Sequence, residues 1–445
     1  MPAARDPSLA LGDTIAAIST PPGEGGIAIV RVSGPRAIPI TDGLFRGRRK
    51  LAVVETHTLH HGLIVSADRS HPCDEVLVAV MRAPHTYTGE DVIEISCHGG
   101  RLSARSVLEM LVDCGVRLAG PGEFTRRAFL NGRIDLAQAE AVVDVVKART
   151  SRALHVAVGQ LTGGLSRRVR EIRDGLVELI VRLGATLDFP EDEVPEVPRE
   201  ETLACVEKAV QQLGILLEGS RIGSALREGV SVAIVGKPNV GKSTLFNALL
   251  GEDRAIVASE AGTTRDLLEG WTEIDQIPVR LIDGAGIRAG VGPVEIEGVR
   301  RARAALDEAT AVLLMVDASS PLTAEDGEVL KACRRKESIV VLNKCDLPRV
   351  IAKGRIESDS AFQGQPILEI SSLTGMGLED LKRTAGSVLF DGLSKSTGDG
   401  EEGTAGEILM CNMRHIAAVR GTLSSLESVC SAIERSLPDD LLITD

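Results

Sequence analysis

Val235-Gly236-Lys237-Pro238-Asn239-Val240-Gly241-Lys242-Ser243-Thr244 follows the apolar run Val230 to Val235 and opens the helix-like run Leu245 to Leu250. A strand, a glycine-bearing turn and a helix start, in that order, make a phosphate-binding loop. Gly236 and Gly241 let backbone N–H groups approach phosphate closely, and the helix start adds partial positive charge. The expected contacts are Asn239, Val240, Gly241, Lys242, Ser243 and Thr244. Lys242 is placed to reach the β- and γ-phosphates, and the Ser243 hydroxyl to ligate Mg²⁺.

Three further elements follow in the order a GTPase needs. Asp283-Gly284-Ala285-Gly286 ends the strand-like Val279 to Leu281 as D-x-x-G. There Asp283 is expected to hold Mg²⁺ through water, and the Gly286 N–H to meet the γ-phosphate. Asn343-Lys344-Cys345-Asp346 ends the buried-strand run Ser338 to Leu342 as N-K-x-D. A carboxylate at Asp346 can accept two N–H bonds from guanine that adenine cannot supply. At roughly 1.5–3 kcal/mol each, these favour GTP over ATP by about 10² or more. Glu369-Ile370-Ser371-Ser372-Leu373 ends another strand run and is expected to back the guanine ring through Ser371 and Ser372.

Between the phosphate loop and D-x-x-G lies Ala261-Gly262-Thr263-Thr264-Arg265-Asp266, where Thr264 is the expected γ-phosphate sensor and Mg²⁺ ligand. Many GTPases place a water-orienting glutamine after the D-x-x-G glycine, but this chain has Ile287. The water must be oriented from elsewhere. Glu295 and Glu297 lie downstream, and either also fits a solvated first-turn acid of a helix over Val294 to Leu306.

The nucleotide motifs occupy only the region from about Glu228 to Phe390. At 445 residues the chain has room for about three domains. Residues 1–122 mix strand-like runs (Thr14 to Ile18, Ile27 to Val32, Glu75 to Val80, Val92 to Ser96) with a helix-like run, Leu102 to Val112, and predict a small α+β domain. Residues 123–227 are helical, interrupted by the acidic, proline-bearing Asp188 to Glu201. Residues 228–390 form the nucleotide domain. Residues 391–445 begin with a linker and resume a helical pattern over Glu407 to Ser436, predicted to join the earlier helices in one bundle.

The composition is that of an ordinary soluble protein: 43% hydrophobic, 25% charged, with no apolar run of membrane-spanning length and no signal sequence. The expected location is cytoplasmic. A formal charge of −13 opposes wholesale coating of nucleic acid, although Arg167, Arg168, Arg170 and Arg173 offer a local contact that equally reads as a solvated helix face. The eight cysteines include no C-x-x-C pair, so they read as core thiols. His57, His60 and His61 read as loop or strand-edge residues, not a metal site. His98, beside the strand carrying Glu94, is the better candidate ligand. Trp271 reads as a half-buried strand residue of a hairpin. The glycine loops Thr20 to Gly26 and Cys97 to Gly100 predict close backbone approach.

From Asp13 to its last residue the chain resembles the MnmE (TrmE) family of tRNA wobble-uridine modification GTPases. The resemblance is carried by TPPGEGGIAIVRVSG, YTGEDVIEISCHGG, PGEFTRRAFLNGRIDLAQAEAV, GKPNVGKST, AGTTRD and NMRHIAAV. It implies a multidomain fold: an N-terminal α+β folate-binding domain, an α-helical bundle domain, and a Ras-like α/β P-loop GTPase domain inserted into that bundle. It implies a homodimer formed through the N-terminal domains. It also implies a flavoprotein partner, MnmG or GidA, in a heterotetramer that adds a carboxymethylaminomethyl-type group to C5 of the tRNA wobble uridine. The one-carbon unit comes from a formyl- or methylene-tetrahydrofolate, whose contacts fall on Arg31, Glu94 and Arg133. K⁺ beside the phosphates falls on Asn239, Thr263 and the carbonyls of Ala258 and Glu260, within a nucleotide loop Ala258, Ser259, Glu260, Ala261, Gly262, Thr263 and Thr264. The water-orienting acid aligns with Glu295, which joins Lys242 as catalytic.

The sequence departs from the family pattern in three places. Gly284 replaces the threonine of D-T-A-G, and Ala258 stands where Thr or Ser is common. Leu437 to Asp445 lacks the family's terminal C-x-G-K. The rival reading is a GTP-dependent RNA or ribosome assembly switch without modification activity.

Overall fold

The computed structural model describes residues 12–66, 71–188, 197–252, 269–283, 308–323, 326–327, 329, 333, 336–357, 362, 364–394, 409–435 and 437. Two compact units divide the chain, one ending at Val143 and the other starting at Asp144.

The first unit is built on one mixed sheet. Its elements are β1 (Ile15–Ile18), β2 (Ile27–Ser33), α1 (Ala37–Leu44), β3 (Phe45–Gly47), β4 (Thr58–Val65), β5 (Pro72–Met81), β6 (Val92–His98), α2 (Arg101–Asp113), β7 (Arg117–Leu118) and α3 (Glu123–Leu130). The strand order is β3-β4-β5-β6-β2-β1-β7, antiparallel throughout except for the β1–β7 pair. Strict alternation sorts the two faces. Val30, Val32, Val78, Val80, Ile93 and Ile95 point into a core shared with Val107 and Leu111 of α2. Arg31 and Glu94 stand opposite each other in the antiparallel register of β2 and β6 and face away from that core. The strands and helix expected here are present, within one to three residues. The two glycine loops come together as the sequence predicts: Gly25 N–H donates to the Gly99 carbonyl at 3.2 Å and Gly99 N–H to the Gly26 carbonyl at 3.3 Å. A Cβ on Gly99 would lie 2.1 Å from the Gly25 oxygen.

Helix α4 (Leu136–Lys147) crosses the division between units. The second unit then continues through α5 (Ser151–Leu161), α6 (Gly164–Asp188), α7 (Arg199–Glu218) and α8 (Ser220–Glu228). A parallel sheet follows: β8 (Val230–Gly236), α9 (Lys242–Glu252), β9 (Glu269–Ile274), β10 (Ile277–Asp283), β11 (Ala311–Asp317), β12 (Glu337–Asn343), α10 (Lys353–Glu357), β13 (Ile367–Glu369) and α11 (Leu378–Ser394). The strand order is β13-β12-β11-β8-β10-β9, and only the β9–β10 hairpin is antiparallel. Its two-residue turn, Asp275-Gln276, has φ of 51° and 62°, as a tight hairpin of the primed type requires. β11, read Ala-Val-Leu-Leu-Met-Val-Asp, is apolar on both faces because both are covered.

Beyond the sheet, α12 (Met413–Glu434) returns to the helices that precede it. Val429 and Ile433 of α12 pack with Leu179 and Leu183 of α6 and Val206 of α7. The buried Gln160 of α5 donates to the Leu409 carbonyl at 2.6 Å, fixing the returning segment. The chain therefore makes an α+β unit, a helical bundle and an α/β domain inserted within that bundle. No described helix is long and apolar enough to cross a membrane.

Candidate functional site

The phosphate loop is assembled between β8 and α9. Asn239 has φ of 61° and Gly241 φ of 98°, and the loop turns sharply enough to aim its N–H groups inward. The first N–H groups of α9 have no partner inside the helix, so Lys242, Ser243 and Thr244 present donors where phosphate would sit. Gly241 has no room for a side chain: a Cβ would fall 2.3 Å from Asn343 Nδ2. Lys242 is 9% exposed, and its ammonium donates to the Gly236 carbonyl at 2.9 Å and the Lys237 carbonyl at 2.6 Å. Burial pulls its pKa below the ordinary lysine value, while the Asp283 carboxylate opposes that shift.

Asp283 is fully buried at the end of β10, and its Oδ2 accepts from the Ser243 hydroxyl at 3.1 Å. Two hard oxygen donors thus meet beside a buried ammonium, and this donor set suits Mg²⁺.

Asn343 is the brace of the base end. Its Nδ2 donates to the Val240 carbonyl at 2.7 Å, and its Oδ1 accepts from both the N–H and the hydroxyl of Ser372 at 2.9 Å. One buried amide therefore ties the phosphate loop, the N-K-x-D loop and the Ser371-Ser372 loop together. Lys344, in left-handed backbone geometry with φ of 64°, pairs with Asp317 at 2.6 Å. Asp346 is exposed on the turn that follows. Ser371 is buried, its hydroxyl accepting from the Thr374 N–H at 3.2 Å. Lys237 closes the loop's outer side by an ion pair with Asp326 and a 2.7 Å bond to the Thr323 hydroxyl.

The remaining nucleotide positions, Ala258, Ser259, Glu260, Ala261, Gly262, Thr263, Thr264, Gly284, Ala285, Gly286, and the acids Glu295 and Glu297, lie outside the described residues.

In the first unit the three expected folate contacts converge. Arg31 donates to Glu94 Oε1 through Nε at 2.8 Å and pairs with it through Nη2 at 2.7 Å. Its guanidinium lies 5.1 Å from the centroid of Tyr87 and 5.6 Å from that of Phe124, and Arg133 lies 5.2 Å from Tyr87. The Tyr87 hydroxyl bonds Thr125 of α3 at 2.8 Å. Guanidinium planes, a carboxylate and an aromatic face form a platform suited to a flat, hydrogen-bonding heterocycle. Tyr87 and Phe124 were not singled out by the sequence, although each opens one of the long segments quoted above or lies inside one.

The platform is anchored by a buried ionic network. Arg127, only 3% exposed, pairs with Asp13, with Glu90 at 3.1 Å and with Glu123 at 3.2 Å; Arg117 pairs with Glu123 and Asp13 at 2.6 Å each. Burial raises the Glu123 carboxyl, but Arg117, the Gly120 N–H and Arg127 outweigh it and hold the pKa at about 2. The network fixes α3, which carries Phe124 and Thr125, onto the sheet.

His98 shares the outward face of β6 with Glu94 but engages Asp74 of β5 instead. Its Nδ1 bonds Asp74 Oδ1 at 2.6 Å, and Asp74 also accepts from Ser103. His61 pairs with Glu75 at 2.8 Å, His60 bonds Thr58 and His57 bonds Thr56, in agreement with a strand edge. Among the described residues no cluster of three metal-ligating side chains occurs. On α6 the arginines are engaged locally: Arg168 with Glu171, Arg173 with Asp174, and Arg167 and Arg170 with backbone carbonyls.

Family comparisons agree with this anatomy. The model for the GTP-binding protein TrmE N-terminus matches residues 14–133, and that for the MnmE helical domain matches 136–445. The chain is 43% identical over 437 residues to the tRNA modification GTPase MnmE of Levilactobacillus brevis, covering 97% of this chain and 91% of the relative. It is 44% identical over 435 residues to that of Thermoanaerobacter pseudethanolicus, covering 97% and 92%. Among solved structures, Era of Aquifex aeolicus bound to GDP and AlF4⁻ is 32% identical, with a TM-score of 0.30, over 44% of this chain and 66% of that one. The G domain of the T. maritima FeoB iron transporter is 28% identical, with a TM-score of 0.29, over 36% and 98%. The chain belongs to the MnmE (TrmE) family of tRNA modification GTPases.

Proposed function

We propose that this protein hydrolyses GTP and uses the cycle to drive modification of the wobble uridine of tRNA. The observation that carries the reading is the Asn343 brace. Its buried amide bonds the Val240 carbonyl of the phosphate-type loop and both the N–H and the hydroxyl of Ser372, which supports a reading in which these loops serve one nucleotide. Lys242 and the α9 N-terminus receive the β- and γ-phosphates, and Asp346 accepts two N–H bonds from guanine. Ser243, Asp283 and Thr264 hold Mg²⁺, which supplies positive charge to the phosphate oxygens when bound. Asn239, Thr263, Ala258 and Glu260 hold K⁺, and Glu295 orients the attacking water.

The N-terminal unit carries the second half of the chemistry in this reading. Arg31, Glu94 and Arg133 hold a tetrahydrofolate derivative against Tyr87, and a flavoprotein of the MnmG type completes the reaction in a heterotetramer. Leu59, Leu63 and Leu77 share the coreless sheet face with Arg31 and stand 68%, 38% and 45% exposed, which supports a homodimer through this unit. The working location is the cytoplasm.

Asp346→Asn tests the guanine assignment. It should move preference from GTP towards xanthosine triphosphate, with about a 10²-fold loss of GTP affinity. Unchanged GTP affinity would overturn the assignment. Hydrolysis should also run faster in K⁺ than in Na⁺ at equal ionic strength, and equal rates would remove the cation from the scheme.

A further inference from the structure

Trp271 is the only tryptophan of the chain, and its place in the fold is unusual. It sits on β9, opposite Arg280 of β10. β10 ends in Asp283, whose carboxylate meets Ser243 of the phosphate loop. β9 is also tied to the phosphate-binding helix, the Thr272 hydroxyl donating to the Leu249 carbonyl at 3.0 Å. Any displacement of the hairpin is therefore felt at the nucleotide end of the sheet.

The indole reaches the opposite end, where the helical bundle hands the chain to the sheet. Gly229 joins α8 to β8 in a positive-φ conformation (78°), and a Cβ there would fall 2.4 Å from Trp271 Cζ3. Arg149, in the turn between α4 and α5, lies with its guanidinium 4.0 Å from the indole centroid. That turn is itself held: Ala148 packs with Ala153, Leu226 and Cys411, and the buried Thr150 caps α5 through a 3.2 Å bond from the Ala153 N–H. Among the described residues, the ring is the one contact that engages the Arg149 guanidinium. A cation so close to an indole, on a pre-set backbone, is attracted to the ring face and fixes its orientation.

We propose that Arg149 is a positioning residue for GTP hydrolysis: stacked on Trp271, it lets the helical bundle set the β9–β10 hairpin and thereby Asp283. This rests on the GTPase reading above. The coupling runs both ways by thermodynamic linkage, so occupancy of the phosphate loop biases the stack and the stack biases occupancy. β9 is the edge strand and pairs with β10 alone, so a shift of β9 is passed to β10.

The test uses the full chain and the fluorescence of its single tryptophan, read without nucleotide, with GDP and with a non-hydrolysable GTP analogue. Wild type should give distinct emission in the analogue-bound state. Arg149→Ala should abolish that distinction and lower kcat for GTP about three- to tenfold, with KM moved less than twofold. Arg149→Lys, which keeps a cation over the ring, should restore most of both. Arg149→Ala turning over at the wild-type rate with wild-type emission changes would overturn the proposal. So would a loss confined to KM or to melting temperature, which marks a merely structural stack. Should wild type bind no guanine nucleotide, the GTPase reading itself fails, which is a separate result.

Discussion

In the proposed nucleotide loop the groups available to a ligand are mostly backbone: N–H donors of Asn239 to Thr244, oriented by positive φ at Asn239 and Gly241 and by the start of α9. In the N-terminal platform they are side chains: Arg31, Glu94, Arg133 and Tyr87, drawn from two strands, a loop and the segment after α3. The first site is stiffened by one amide, Asn343, and the second by a network of five charged groups that includes Arg127. A backbone-built site depends most on the glycines that shape it, Gly236 and Gly241. A side-chain-built site is as stable as the network that orders its long residues.

Arg127→Ala should produce the largest effect. It leaves the Glu90 carboxylate without its cation, while Glu123 and Asp13 keep Arg117, so the cost should be about 3 kcal/mol, the lower end for a broken buried pair. Hydrogen exchange in α3 and β1 should accelerate accordingly, while GTP affinity stays within about twofold. Unaltered exchange there would break the assignment of the network as the platform's anchor. On the other side of the comparison, Gly241→Val should lower GTP affinity by about 10²-fold, because a Cβ collides with Asn343 Nδ2 and strains a positive φ. Calorimetric titration showing wild-type affinity would mean that the loop is not the phosphate site.

The same contrast explains what was legible. A backbone site needs its residues contiguous, so Gly236 to Thr244 announced itself, whereas Arg31 and Glu94 entered only through the family resemblance and are set opposite each other by the register of β2 and β6. The Arg127 network joins Asp13, Glu90, Arg117 and Glu123, residues separated by up to 114 positions, and no local pattern marks such a cluster. Tyr87 lacks periodic neighbours for the same reason: it sits in an irregular stretch between β5 and β6. Asn343 was read as part of a guanine motif. Its bracing of Val240 and Ser372 appears only when three loops from distant segments close around it. Short β3 and helix α1 were also unanticipated. Their apolar residues are too few for a clear period, and tertiary packing decides them.

Acid offers a graded version of the first substitution. Glu123 titrates at about 2 when folded against an ordinary 4.5, and Asp13 is lowered too, Arg117 and Arg127 outweighing the burial that alone would raise it. A carboxylate depressed by folding stabilises fully above its unfolded value and loses that contribution as pH falls through the folded one. The N-terminal unit should therefore hold its denaturant midpoint above about pH 4.5 and weaken progressively towards pH 2. Glu123→Gln should flatten that slope. A midpoint independent of pH over this range would show that the network adds little.

The smallest effect separates ring from hydroxyl in the platform. Tyr87→Phe keeps an aromatic face for Arg31 and Arg133 and removes only the 2.8 Å bond to Thr125, worth about 0.5–1.5 kcal/mol. Affinity for a formyl-tetrahydrofolate should fall no more than about threefold, whereas Tyr87→Leu, which deletes the face, should cost about tenfold. Equal losses in both variants would assign the work to the hydroxyl and its hold on α3. The platform would then depend, like the nucleotide loop, on one hydrogen-bonded brace, and the distinction between the two sites would narrow.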